Sequence, residues 1–77
     1  MKLGVYQHYS GKLYQVIGIA RHSETLDEMV VYQALYDDFS LWVRPRAMFE
    51  EVIQHENEKK PRFIYISGGV TELARLR

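Results

Sequence analysis

Cysteine is absent from the 77 residues. That excludes a disulfide framework, a thiolate metal site and a cysteine nucleophile. Proline and glycine are scarce, two and five respectively, so the chain is neither collagen-like nor of low complexity. Neither charge sign is in surplus: ten Lys and Arg stand against ten Asp and Glu. No global field therefore draws nucleic acid or an anionic membrane. Long hydrophobic runs are also missing. The uncharged stretch from Leu13 to Ala20 has only eight residues, against about 20 for a spanning helix. Lys2 is followed by Gly4, Tyr6, Gln7 and His8, which lacks the apolar run of a secretory leader. These features predict a cytoplasmic protein with no membrane association.

What is present is globular. Hydrophobic residues make up 47% and charged residues 26% of a chain long enough for one core. Aromatic residues reach 13%, with six Tyr, three Phe and one Trp among β-branched neighbours, a strand-like mixture. Turn signals fall at Ser10-Gly11, at residues 23–28 and at Asp37-Asp38. Strands are expected at 4–8, 13–21, 29–36, 41–44, 51–54 and 63–67. The second carries apolar residues on both faces, with Gly18 as a site for a bend, which suggests a strand wrapped around a small core. The predicted fold is all-β: a five-stranded SH3-like barrel over residues 4–67. A helical turn after Pro45 would plug one end with Met48 and Phe49. Residues 55–60 read as a charged loop. Residues 68–77 read as a carboxy-terminal tail, flexible or a short docked helix capped by Thr71, and dispensable for the fold.

Charge is unevenly placed along the chain. Residues 21–58 hold nine acids against three bases, net −6, and residues 59–77 hold five bases against one acid, net +4. Most simply this is a solvated surface. The alternative is weak self-association, with the tail of one copy on the acidic face of another.

Several residues invite a functional reading. His22, Ser23, Glu24 and Thr25 join two apolar strands, so the scaffold would hold a histidine, two hydroxyls and a carboxylate in place. Such a set binds a polar ligand, or simply satisfies the backbone of its own turn. Convergence is expected, with His22 or Glu24 bonded to Arg44 or to a tyrosine hydroxyl. His8 and His22 could meet across paired strands, but no metal-ligand spacing accompanies them, and no metal or other cofactor is expected. Most tyrosines belong to packing, while Tyr9 and Trp42 are candidates for an exposed stacking surface. Arg44 and Arg46 flank Pro45. Arg44 is expected to pair with Glu24, Asp27 or Glu28, leaving Arg46 open for an anionic group.

Two resemblances follow from local motifs. Residues 34–39 (ALYDDF) are similar to the ALYDY motif of eukaryotic SH3 domains. They lie mid-chain, only just before the sole tryptophan, so no proline-peptide groove carries over. The second resemblance is broader. GVYQHYSGK with Tyr14, ARHSET, VVYQALY, LWVRPRAMF and PRF form five ordered blocks over about residues 4–63. Together they resemble the small bacterial family catalogued as domain of unknown function 1653, with Ser10 standing where the opening block usually has lysine. The resemblance implies an SH3-like barrel and no activity. The expected function is a non-catalytic protein- or peptide-binding module. The alternative is a nucleic-acid-binding accessory using Arg44, Arg46 and the basic carboxy-terminal segment. An enzyme is disfavoured, because so small a barrel seldom encloses a pocket of about 300 Å³ or more.

Overall fold

The computed structural model describes residues 1–69. Seven strands and one helical turn follow in order: β1 (Gly4–His8), β2 (Leu13–Arg21), β3 (Glu28–Ala34), β4 (Leu41–Pro45), α1 (Arg46–Phe49), β5 (Val52–His55), β6 (Glu58–Pro61) and β7 (Phe63–Ser67). The first four strands make an antiparallel meander, and β7 returns to pair with β1, giving the sheet order β4-β3-β2-β1-β7. This is the mostly β, SH3-like arrangement that the alternating aromatic and β-branched runs predict. The two edge strands, β4 and β7, are not hydrogen-bonded neighbours. Side chains span the gap instead: the Arg44 guanidinium of β4 lies 6.0 Å from the ring centre of Phe63 on β7.

Inward-facing residues build one aromatic core. Val16, Val30, Tyr6, Tyr32, Phe49 and Phe63 are buried together. Phe49 stacks on Phe63 with ring centres 4.0 Å apart, and Tyr6 and Tyr32 meet Phe49 edge-on. The helical turn thus does plug the barrel, but with Phe49 alone. Met48 points outward and is exposed, because one turn of helix offers the core only one side. The predicted bend in β2 is a bulge: pairing with β3 slips between Val16 and Gly18. An extra residue there increases the local twist, which curls the sheet. Gly4 opens β1 at φ +131°, and a Cβ there would lie 2.3 Å from the Ser67 carbonyl oxygen. Only glycine allows β1 and β7 to approach so closely.

Three expectations need correction. Strand β3 begins at Glu28 and ends at Ala34, because Asp37 and Phe39 take positive φ in the following turn. Strand β5 begins at Val52, since Glu50 and Glu51 still hydrogen-bond back into α1. Residues 55–60 are not a loop. They turn tightly through Glu56 and Asn57, both at positive φ, and return as β6 against β5. Strand β6 reads EKKP, without the β-branched and aromatic residues that mark strands. It pairs through its backbone while its side chains stay largely in solvent. The contacts of β7 continue to Gly69, whose carbonyl accepts the Ser67 hydroxyl at 2.9 Å. The helix expected after Thr71 lies outside the described residues.

Candidate functional site at the inner face of β4

Antiparallel strands place residue 21 of β2 eight steps from residue 13, about 26 Å at roughly 3.3 Å per residue. The loop 22–27 therefore sits at one end of the barrel. His8 pairs with Phe63 and lies beside the start of β2, at the other end. His8 and His22 are far apart, contrary to expectation.

At the loop end, polar groups are spent locally. The backbone N–H groups of Glu24 and Thr25 donate to His22 Nδ1 at 3.0 and 3.3 Å. Thr25 Oγ1 accepts from the Asp27 amide at 3.2 Å. Leu26 takes φ 65° to close the turn and donates its amide to the His22 carbonyl. Residues 22–27 are all exposed. The expected convergence of His22 or Glu24 on Arg44 or a tyrosine does not occur. Local amides lie nearer, and a turn has amides that need acceptors.

The two arginines exchange their expected roles. Arg46 Nη1 donates to Glu28 at 3.3 Å and its Nε donates to Glu50 at 3.1 Å. These three residues, with Asp27, Pro45 and Ala47, line a shallow cleft of about 470 Å³. That cleft already holds its own cation and anions. Arg44 instead turns into the barrel, where its Nε donates to the Tyr32 hydroxyl at 3.3 Å. The reason is register: Arg44 is paired with Val30 and Trp42 with Tyr32, and both partners face the core. Arg44 and Trp42 therefore share the inner side, while Arg46 has left the sheet.

Around Arg44 gathers a set of tyrosines that sequence patterning assigns to packing alone. Tyr14 contacts Tyr32, Tyr36 and Phe63 edge-on, and the Tyr14 and Tyr36 hydroxyls bond to each other. Burial, then the Tyr36 hydrogen bond, push the Tyr14 hydroxyl up to about 12, so it stays protonated. Lys12 Nζ sits 4.7 Å from the Tyr36 ring centre. His8 is held below its ordinary range, first by burial and then by Arg44, Arg62 and Lys12, all cations. A signal was legible: Tyr14 and Tyr32 stand at inward positions where Phe would pack equally well, and a tyrosine needs a partner for its hydroxyl. Tyr9 lies apart, with ring centres 4.3 Å from His8 and 5.0 Å from His55. It lines a second cleft of about 400 Å³ with Gln7, His8, Gly11, Lys60, Pro61 and Ile64. Among the described residues no three His, Asp or Glu side chains are grouped to hold a metal ion, and no helix is long and apolar enough to cross a membrane.

The model of the family described as "Protein of unknown function (DUF1653)" matches residues 4–65. The chain belongs to the DUF1653 family. This DUF1653 domain is also similar to a solved structure, the crystal structure of a DUF1653 protein from Bordetella bronchiseptica. The two share 33% sequence identity over 87% of this chain and 88% of that one, with a TM-score of 0.81. Among curated proteins none matches.

The edge beside Arg44 is the other feature of this DUF1653 domain. The Ala34 amide donates to the Ser40 carbonyl at the β3–β4 turn. Alternation along an antiparallel ladder then turns the backbone groups of Trp42 and Arg44 toward β3 and those of Leu41, Val43 and Pro45 away from it. Pro45 fits that parity, since its missing N–H falls on the outward side. Leu41, Trp42 and Val43 are 64%, 52% and 61% exposed.

Proposed function

We propose that this DUF1653 domain is a non-catalytic binding module that takes an extended peptide as an added strand on the β4 edge. The observation that carries the reading is the outward backbone of Leu41 and Val43, set between exposed apolar side chains. An open edge of that kind is a template for strand pairing, which monomeric proteins normally blunt with charge or cover. Among the described residues the blunting device on the strand's outward side is Pro45 at its end. A peptide added there gains main-chain hydrogen bonds from Leu41 and Val43. Its alternate side chains fall beside Leu41 and Val43 on one face and beside Trp42 and Arg44 on the other. The nucleic-acid alternative is weaker, because Arg46 is already held by Glu28 and Glu50.

Amide hydrogen exchange tests the reading. A five-residue peptide of alternating valine and threonine with a central glutamate should slow exchange at Leu41 and Val43. Val43→Pro should abolish the protection at Leu41 while leaving the ladder to β3 intact, since the N–H it removes faces outward. Val43→Lys serves the same purpose if the proline variant does not fold. Unchanged exchange at both amides with millimolar peptide sinks the proposal.

A further inference from the structure

Four cations among the described residues are partly buried: Arg44, Arg46, Lys60 and Arg62. Three of them have carboxylate partners. Arg46 is paired with Glu28 and Glu50, Lys60 with Glu58 at 3.7 Å, and Arg62 with Glu51 at 3.1 Å. Arg44 has no carboxylate within 4.0 Å among the described residues. Its Nε is occupied by the Tyr32 hydroxyl, and its guanidinium lies over Phe63. The ring and the hydroxyl orient the group and withdraw water from one side of it. Among the described residues its Nη donors meet no acceptor. A guanidinium held this way presents two parallel N–H groups, which match the two oxygens of one carboxylate.

We propose that Arg44, with the Tyr32 hydroxyl beside it, is a receptor for a single carboxylate carried on the inner face of a strand added to β4. The inference rests on the strand-addition reading and names the side chain that the added strand must bring. Tyr32 accepts from Arg44, so its own O–H proton remains available to the same carboxylate. Lys12 and Arg62 act on this region electrostatically, and with Arg44 they disfavour a positive charge on His8. Neither Arg44 nor Lys12 has a carboxylate within 4.0 Å among the described residues to offset its charge. Position also fits. Trp42 and Arg44 are two apart on one strand, so an inward-facing residue of the added strand lies beside both of them. A glutamate there reaches the guanidinium while its methylenes cover the indole.

The test compares two peptides on the full chain, identical except for a central glutamate or glutamine. Binding is followed by amide exchange at Leu41 and Val43 and by the Nε–H resonance of Arg44. The glutamate peptide should bind about tenfold more tightly or better, and it alone should shift the Arg44 resonance. Arg44→Gln should remove that preference, so that the two peptides bind it equally. If that variant does not fold, Arg44→Lys keeps the charge but not the fork and should lose most of the preference. Acetate in excess should compete with the glutamate side chain at least as well as inorganic phosphate at equal ionic strength. Equal binding of the two peptides, with Leu41 and Val43 protected, overturns the carboxylate receptor and leaves strand addition standing. Stronger competition by phosphate overturns the carboxylate assignment in favour of a phosphate site. Protection by neither peptide overturns both proposals.

Discussion

The loop end of this barrel and the inner face of β4 carry similar chemistry to opposite effect. The loop end has a histidine, hydroxyls, carboxylates and Arg46. Its capacity for hydrogen bonding is largely consumed: His22 and Thr25 hold turn amides, and Arg46 holds two glutamates. The inner face of β4 has fewer eye-catching residue types, yet among the described residues its half-buried arginine has no carboxylate partner and its edge no neighbouring strand. Polar residues bunched in sequence fall in a turn, where the nearest partners are the turn's own amides. Residues far apart in sequence meet inside a sheet, where they are held but not necessarily paired. Unused capacity on a rigid support is therefore a better mark of a site than a suggestive run of letters.

The largest effect should come from the core that both regions share. Phe49→Ala removes the ring stacked on Phe63 and should cost about 3–5 kcal/mol. Chemical denaturation followed separately at Trp42 and at a loop-end probe should give coincident transitions. Distinct midpoints would show that the regions are independent units and would break the comparison.

Next in size is alkaline pH, which should act on the tyrosine side. Tyr14 is raised from 10.0 to about 12 in the folded protein. The unfolded chain therefore loses this proton first. The contribution is intact below about pH 10 and is lost as pH rises toward 12. Stability of Tyr14→Phe should be flatter across that window, whereas His22→Ala should follow the parent. An equally steep fall in Tyr14→Phe would assign the alkaline transition elsewhere.

A smaller gain is expected at the loop end. Leu26 is exposed and left-handed at φ 65°. Leu26→Gly should raise stability by about 0.5–1 kcal/mol by removing the Cβ penalty, partly offset by backbone entropy. Thermal unfolding measures it, and a loss of stability would mean that the leucine side chain holds the turn.

The smallest effect sharpens the contrast most. His22→Ala deletes an acceptor for two exposed amides and should cost about 0.5 kcal/mol. Neither it nor Arg46→Ala should alter peptide binding at β4. Loss of binding in either variant would return the site to the loop end.

Physical patterning set the architecture of this protein. Apolar and aromatic runs in β1, β2, β3 and β7, punctuated by short polar turns, leave a small chain no layer to bury against except its own curled sheet. Phe49 as a plug and the bend beside Gly18 were legible for the same reason, since each is a local pattern with a single packing solution. Strand β6 was not, because EKKP gains its structure from a neighbour and not from its own side chains. The fates of the two arginines were beyond reach as well. Arg44 and Arg46 differ by two positions and have the same chemistry. The β3–β4 register and the end of β4 at Pro45 turn Arg44 inward, to Tyr32 and Phe63, and leave Arg46 on a helical turn between Glu28 and Glu50. Sequence determined which residues carry charge and which five strands make the main sheet. Only the tertiary structure decided which of these two arginines met a carboxylate among the described residues, because pairing depends on distances between segments that the chain brings together only by folding.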